Sequence, residues 1–187
     1  MKNQFVLSLV LIFIVFLSFV PTEGRTSSTS KKNLKKSKVN TAVENYIARF
    51  KATAIQEHNK FCIPASITLA QGILESAAGQ SMLVKKTNNH FGIKCVGGSC
   101  TNKNSVMMAD DDPYDRFLKY SSAWFSYRHH SKFLTDNTRY EKCFECGDNY
   151  RCWARQLKKA GYATSKTYAE KLIKIIETYK LYKYDRH

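Results

Sequence analysis

The chain has 187 residues, of which 30 are Lys or Arg and 15 are Asp or Glu, so its formal charge at neutral pH is +15. Hydrophobic residues make up 43% and there are only 8 Gly and 3 Pro, which excludes a collagen-like or wholly disordered chain. The length suits one domain with appendages. The charge predicts an anionic partner, which could be nucleic acid, anionic lipid or an acidic polymer.

The first 24 residues have the pattern of a secretory signal peptide. Lys2 precedes an apolar run over residues 5–20, and small residues just before Arg25 suit cleavage there. The run is shorter than the roughly 20 residues that a membrane span needs, although an uncleaved anchor stays open. We therefore expect an exported protein, in the periplasm, at the cell surface or secreted, with no stable membrane insertion once the signal is cleaved.

Residues 25–40 form a second segment, which carries six positive charges and no acidic residue. It has little apolar surface to bury, so it is predicted to be a disordered basic linker. A solvated spacer and a weak electrostatic attachment to an anionic envelope both fit this composition.

Residues 41–187 are predicted to form one domain, which begins with a helix. The spacing of Thr41 and Glu44 is that of a capping box, and apolar residues follow at helical intervals. A second helix is expected to begin at Pro64 and to stop at Gly79.

The rest of the domain is predicted to be a small β insert followed by more helices. Residues 84–120 lose the helical period and predict a hairpin whose turn lies at residues 110–115. Helical patterns return over residues 122–134, 149–160 and 167–181. The fold class is therefore α+β, and mostly α.

Six cysteines in an exported chain predict disulfides, and six thiols allow 15 pairings. A local bridge between Cys95 and Cys100 is compatible with their spacing. The alternative is a zinc site, built from Cys95, Cys100, Cys143 and Cys146.

Glu75 is the acidic residue whose context favours catalysis. It follows Ile73 and Leu74 at the carboxyl end of an apolar helix, where unpaired carbonyl groups carry partial negative charge. The helix end and the apolar neighbours both disfavour the ionised carboxylate, so its pKa is predicted to be raised. A protonated carboxyl is the proton donor that glycoside cleavage requires, although most glutamates at helix ends are simply solvated.

Several segments resemble the glucosaminidase domains of glycoside hydrolase family 73, of the flagellar-rod and autolysin type. They occur in family order and cover nearly all of residues 41–187: IPASITLAQGILES (63–76), GQS (79–81), NNHFGIKC (88–95), RFLKYSSAWFSYRHHSKFL (116–134), RY (139–140), WARQLKKAGYATSKTYAEKLIKIIE (153–177) and LYKYD (181–185). The resemblance implies a lysozyme-like fold with a small β-hairpin lobe. It also implies cleavage of the β-1,4 bond on the N-acetylglucosamine side of the peptidoglycan glycan.

The resemblance also assigns catalytic residues. Glu75 matches the general acid of the family, and Tyr162 matches a tyrosine placed near that acid. Tyr168 lies on the apolar face of the last helix, so we expect it to pack in the core. The second carboxylate is expected from the hairpin turn, with Asp110 and Asp111 as the leading candidates.

The route of the reaction stays open at this point. An aspartate of the turn could activate water on the far face of the sugar, as an inverting mechanism needs. Alternatively, the acetamido group of the substrate could act as nucleophile while an aspartate stabilises charge. A solvated turn is the third possibility, because aspartates are common in turns.

Three further residues are expected to border the substrate. His90 should order the loop beside the cleft, while Phe91 and Tyr120 could line sugar subsites, although packing in the core fits them equally well. No second histidine or carboxylate lies at ligand spacing from His90, so neither a metal nor an organic cofactor is implied.

Where the family commonly reads ESGWG, this chain has Glu75-Ser76-Ala77-Ala78-Gly79. The missing tryptophan removes an aromatic surface near the acid, which predicts an altered substrate preference rather than inactivity.

The sequence therefore predicts a monomeric endo-β-N-acetylglucosaminidase that acts on peptidoglycan glycan strands. The alternative is a catalytically impaired module of the same fold that binds cell-wall glycan. Export and disulfides argue against a nucleic-acid partner despite the positive charge. Whether the target is the cell's own wall or a foreign wall stays open.

Overall fold

The computed structural model describes residues 28–97, 100–108 and 115–186, with side chains described from residue 41 onward. The candidate signal peptide of residues 1–24 lies outside these ranges. The described residues form seven α-helices: α1 (Ser28–Phe61), α2 (Ala65–Glu75), α3 (Met82–Thr87), α4 (Ala123–Asp136), α5 (Glu141–Phe144), α6 (Tyr150–Lys159) and α7 (Tyr168–Thr178). Two strands, β1 (Ser105–Met107) and β2 (Arg116–Leu118), pair between α3 and α4. No helix in the described ranges combines the length and hydrophobicity that a membrane crossing requires.

Helix α2 lies at the centre of the molecule. Its residues from Ala65 to Ile73 are all buried, and it packs against α1, α6, α7 and the short 3-10 helix Leu181–Tyr184. A helix that is buried on all sides is typical of the core of an α-rich domain. Because α2 is enclosed in this way, the position of Glu75 at its carboxyl end is fixed by the packing of four other elements.

The amino end of α2 is capped from the far end of the chain. Pro64 precedes the helix, close to the predicted start, and supplies no side-chain hydrogen bond. Instead, the amide of Ser66 donates to Oδ1 of Asp185 at 2.8 Å. Burial raises the pKa of Asp185, and the hydrogen bonds from Ser66 oppose that shift. A carboxylate at this position satisfies an unpaired amide and interacts favourably with the helix dipole.

The first helix begins earlier than the sequence predicts. Helix α1 starts at Ser28, so the backbone over residues 28–40 is helical where a disordered linker was expected, and Thr41 lies inside the helix rather than at its cap. Residues 28–40 contain neither Gly nor Pro and are rich in Lys, a good helix former. A helix nucleated by the packed residues 41–61 can therefore extend backwards at little cost.

The two strands of the predicted β-hairpin lobe are present, together with one helix that the sequence does not predict, while most of the expected turn at residues 110–115 lies outside the described residues. Strands β1 and β2 are antiparallel, with Val106 opposite Phe117. The short helix α3 precedes them, and its six residues are too few for a helical period to be visible in the sequence. Asn89 holds the following loop, because its Nδ2 donates to the carbonyls of Ile93 and Leu118 at 2.9 and 3.0 Å.

Four of the six cysteines form two disulfides. Cys95 pairs with Cys100 and Cys146 with Cys152, while Cys143 is buried as a free thiol and Cys62 is an exposed one. Three of the four thiols in the alternative zinc site are therefore consumed, and that alternative is wrong. Disulfides are consistent with an oxidising compartment outside the cytoplasm.

Candidate active site

Glu75 is the last residue of α2 and is half-buried. The helix stops there because Ser76 leaves the helical conformation, and the hydroxyl of Ser76 accepts a hydrogen bond from the amide of Gly79 at 2.7 Å. The carboxyl group is thus placed at the edge of the core, in contact with buried side chains on one side and partly accessible on the other. This is the setting in which a carboxyl can transfer a proton to a bound substrate.

A chain of two hydrogen bonds leads from the interior of α2 to this carboxyl. The hydroxyl of Tyr168, the first residue of α7, donates to Oε1 of Glu75 at 2.9 Å. Nε2 of Gln71 donates to the same hydroxyl at 3.0 Å. Gln71 and Glu75 are four residues apart and so lie on one face of α2. Together they hold the phenol between them.

The pKa of Tyr168 is raised well above its usual value, chiefly by burial and then by the negative charge of Glu75. The phenol is therefore protonated at any physiological pH and remains a donor towards the carboxylate. The expectation that Tyr168 packs in the core is confirmed for its ring, but its hydroxyl also contacts Glu75, which the sequence did not predict. A signal was present in the sequence, because Gln71 and Glu75 form a polar pair on an otherwise apolar helix and such a pair needs a partner.

Tyr162 lies next to Tyr168. The two rings stack with their centroids 5.7 Å apart and an angle of 22° between their planes. Burial raises the pKa of Tyr162 well above its usual value, and the charge of Glu75 is the next largest cause. Tyr162 therefore lies near Glu75, and its expected catalytic role stays a prediction. Only 1% of the surface of Tyr162 is exposed, so it has almost no surface with which to contact a sugar. Its contact towards Glu75 is through the ring of Tyr168.

The loop that carries Tyr162 is fixed by the end of α6. Gly161 has a φ of +76°, a left-handed conformation that suits glycine after a helix. The amide of Tyr162 then donates to the carbonyl of Leu157 at 3.0 Å. Nζ of Lys158 donates to the carbonyls of Ala163 and Thr164 at 3.1 and 3.0 Å, which closes the loop.

Tyr120 belongs to the same region. Its hydroxyl bonds to Nδ1 of His129 at 2.7 Å, and its phenol is close enough to Tyr162 to raise the pKa of that residue. Tyr120 is half-buried, at the end of the β-hairpin lobe. It therefore lies near Tyr162, and its side chain is only partly buried.

His90 and Phe91 do not border that space as accessible surfaces. Phe91 is fully buried and stacks on His130 at a centroid distance of 3.9 Å, so the prediction that it contacts a sugar is wrong. His90 is 3% exposed, and its Nδ1 bonds to the hydroxyl of Tyr46 at 2.9 Å. It orders its loop, as expected, but as a core residue rather than one that binds substrate.

The two aspartates expected to assist the reaction, Asp110 and Asp111, lie outside the described residues. Asp115, which begins the described part of the hairpin after them, is engaged in an ion pair with Lys94 at 2.8 Å. Among the residues with described side chains, no three His, Cys, Asp or Glu come together as a metal site.

Comparisons with known proteins show the family to which this chain belongs. The family model described as mannosyl-glycoprotein endo-beta-N-acetylglucosaminidase matches residues 51–181. The exo-glucosaminidase LytG of Bacillus subtilis is 35% identical over 140 residues, which are 68% of this chain and 48% of that protein. The peptidoglycan hydrolase FlgJ of Vibrio parahaemolyticus is 28% identical over 71% of this chain and 46% of its own length. The chain thus spans about half the length of these curated relatives.

Solved structures agree in fold. The catalytic domain of the autolysin Auto from Listeria monocytogenes has a TM-score of 0.65 at 29% identity, over 87% of this chain and 100% of that one. The glycoside hydrolase domain of FlgJ from Salmonella typhimurium has a TM-score of 0.61 at 28% identity, over 74% of this chain and 88% of that one. The fold is therefore that of the lysozyme-like glucosaminidase domains. The chain belongs to the mannosyl-glycoprotein endo-beta-N-acetylglucosaminidase family.

Proposed function

We propose that this protein is an exported peptidoglycan hydrolase that cleaves the β-1,4 bond on the N-acetylglucosamine side of the glycan, with Glu75 as general acid. The observation that carries the proposal is the hydrogen bond from the hydroxyl of Tyr168 to Oε1 of Glu75. It ties a half-buried carboxyl at the end of α2 to a buried donor, within a chain that belongs to a glucosaminidase family.

The hydrogen-bond chain supports an assignment of the transferable proton of Glu75 to one oxygen. Gln71 donates to the oxygen of Tyr168, so the phenol turns its own proton to Oε1 of Glu75. Oε1 is then occupied as an acceptor, and the acidic proton resides on Oε2. A leaving glycosidic oxygen that approaches Oε2 receives this proton as the bond to the anomeric carbon breaks.

The remaining roles complete the reaction. Tyr162 stacks on Tyr168 and keeps it in register with Glu75. Asp110 or Asp111 activates the attacking water or stabilises the positive charge that develops on the sugar ring. Tyr120, at the end of the hairpin lobe, contacts a sugar in front of the acid.

Cleavage inside the glycan strand is the mode we propose. The family is described as endo-acting, whereas the relative LytG is named as an exo-enzyme. The two modes differ in product: endo-cleavage shortens long strands rapidly, while exo-cleavage releases one end unit at a time. Chromatography of a partial digest therefore separates them.

The test of the acid is the substitution Glu75→Gln, which keeps the shape of the side chain and removes its transferable proton. We expect release of reducing ends from purified peptidoglycan to fall roughly 10²–10⁴-fold, the contribution of a general acid. Mass spectrometry of the products from the wild type should place N-acetylglucosamine at the new reducing end.

Glu145→Gln is the matched control, since Glu145 is exposed and lies on another part of the surface. It should leave the rate unchanged, and circular dichroism should show both variants folded. If Glu75→Gln digests peptidoglycan like the wild type, the assignment of the acid is wrong. If the wild type binds peptidoglycan without cleaving it, the binding-module alternative replaces the hydrolase.

A further inference from the structure

A pocket of about 270 Å³ opens beside the turn that follows Glu75, between α1, α3 and the loop of His90. The turn lines the pocket through Ala78 and Gly79, and α1 lines it through Tyr46 and Arg49. No catalytic role proposed above uses this pocket.

The charged residues that line the pocket are all positive. Two cations line it, Arg49 and Lys85, and none of its lining residues is acidic. Neither cation forms an ion pair with a residue that the structure describes. Three neutral amide side chains, Asn45, Gln80 and Asn88, supply further hydrogen-bond donors.

The floor of the pocket does not change this charge. The hydroxyl of Tyr46 bonds to Nδ1 of His90, and both groups are buried. Burial, and then the charge of Arg49, lower the pKa of His90 to about 4, so the imidazole is neutral at pH 7. Burial also raises the pKa of Tyr46, which keeps the phenol neutral. The two exposed cations therefore determine the field inside the pocket.

The pocket is joined to the active site by direct contacts. Ala78 and Gly79 follow Glu75 by three and four residues, in the same turn. Asn88, which also lines the pocket, donates through Nδ2 to the carbonyl of Tyr120 at 3.0 Å. Tyr120 in turn influences Tyr162, which stacks on the tyrosine that holds Glu75. Three residues of chain span at most about 11 Å, so a branch of a polymer bound at Glu75 can reach the pocket that begins at Ala78.

We propose that this pocket is a subsite for carboxylate groups of the peptide stems that branch from the glycan strand, bound by Arg49 and Lys85. The inference rests on the proposed function, because it takes the polymer at Glu75 to be peptidoglycan. A planar guanidinium can pair with both oxygens of a carboxylate, and the ammonium group and amides can bind the remaining lone pairs. The subsite makes the enzyme prefer glycan that carries free acidic stems.

The test is a double-mutant-type cycle that combines one protein variant with one chemically modified substrate. The double variant Arg49→Gln/Lys85→Gln is compared with the wild type on soluble peptidoglycan fragments with intact stems. A second substrate has its carboxylates converted to amides by carbodiimide and ammonia. We expect the variant to raise KM about tenfold on intact stems with little change in kcat, as loss of uniform binding requires. On the amidated substrate the wild type should show the same raised KM, and the two proteins should no longer differ.

The double variant Arg155→Gln/Lys174→Gln is the charge-matched control, because both residues are exposed, on α6 and α7, and neither lines the pocket. It should behave as wild type on both substrates, which separates the pocket from general charge attraction. An equal KM for the double variant and the wild type on intact stems overturns the subsite.

Strands stripped of peptides by an amidase retain only the lactyl carboxylate. A wild-type advantage that persists on them would overturn the assignment to the stems and move it to the lactyl group. A wild type that cleaves none of these substrates contradicts the proposed function instead.

Discussion

Among the described residues that contact Glu75, Tyr168 matters most because it is both buried and polar. Its ring stacks on Tyr162 and its hydroxyl joins Gln71 to the acid. A phenol is suited to this position, since it packs as an apolar body and still donates one hydrogen bond without adding charge. Glu75 thus accepts a hydrogen bond from a neutral donor whose proton it does not remove.

The substitution Tyr168→Phe tests this orientation. It keeps the ring and deletes the donor to Oε1 of Glu75, an oxygen that becomes a charged acceptor as Glu75 gives up its proton. A hydrogen bond to a charged acceptor is typically about 1.5–3 kcal/mol, and this one is strongest in the transition state. We expect kcat to fall about 10- to 100-fold with KM little changed. Steady-state kinetics on soluble peptidoglycan fragments measures both values.

Tyr182→Phe serves as the comparison, because Tyr182 is largely exposed and stacks on Tyr150 rather than in the site. It should have wild-type kinetics. A Tyr168→Phe variant with an unchanged kcat would show that the hydrogen bond seen in the structure does not act on the reaction.

How well the sequence predicts a site residue depends on how far along the chain its contact partners lie. The position of Glu75 at the end of an apolar helix was predictable, because the residues that define it lie next to it in the chain. Its catalytic role was implied by the family resemblance and stays a prediction. The contact between Tyr168 and Glu75 joins residues 93 apart, and helical periodicity reports only that Tyr168 faces inward. Phe91 was expected either to line a sugar subsite or to pack in the core. Its burial depends on contact with His130 of α4, which the local sequence around Phe91 does not reveal.

At the scale of elements, the turn between α2 and α3 has an unusual backbone. Ala77, Ala78 and Gly79 follow one another with φ angles of +50°, +52° and +77°. A left-handed conformation costs an L-residue roughly 1–2 kcal/mol, and only glycine adopts it freely. The turn that separates Glu75 from the cationic pocket therefore holds two alanines in a conformation that disfavours them.

We expect Ala77→Gly to stabilise the protein by about 0.5–1 kcal/mol. Ala77 is exposed, so no packing is lost, and relief of the backbone strain outweighs the extra freedom that glycine gives the unfolded chain. Ala48→Gly is the matched substitution in the middle of α1, where Ala48 is also exposed. There the same change should destabilise by about 0.5–1 kcal/mol.

Urea unfolding, followed by circular dichroism, measures both free energies of unfolding. Opposite signs for the two variants are the expected result. If Ala77→Gly destabilises as Ala48→Gly does, the left-handed backbone at Ala77 is not a source of strain.

Elements were predictable where local signals and packing agree. Helix α6 has Asn149 as its cap, with the side chain accepting from the amide of Cys152, and its bounds lie within one residue of the prediction. The predicted start of helix α1 at Thr41 was wrong, because the helix already begins at Ser28 and continues through the capping signal at Thr41. The cap of α2 by Asp185 was not predictable, since it joins residues 119 apart.

At the scale of the whole molecule, the core contains an unusual number of polar rings. Tyr127 donates to the hydroxyl of Tyr46, which bonds to His90, so these three satisfy one another. His130 is different: it is fully buried, and neither ring nitrogen has a hydrogen-bond partner among the described residues. It is held by ring contacts, stacked on Phe91 and edge-on to Tyr162, and a buried polar ring without hydrogen bonds costs stability.

This core makes the stability of the protein depend on pH. Burial lowers the pKa of His130 to about 3, and an unfolded histidine has a pKa of about 6.5. Below pH 6.5 the unfolded chain therefore binds a proton that the folded chain does not, so stability falls as the pH falls from about 6.5 towards 3. Between pH 7 and pH 4.5 this one residue should lower the free energy of unfolding by on the order of 2 kcal/mol.

The substitution His130→Leu removes the titrating group. The free energy of unfolding of this variant should therefore decline less over the same interval, whatever its value at pH 7. Urea unfolding of both proteins at pH 7 and pH 4.5 gives the two declines, and Asp185 and His90 titrate in both proteins, so their difference isolates His130. Equal declines would mean that His130 is protonated in the folded protein at pH 4.5, which a fully buried and unpartnered imidazole does not allow.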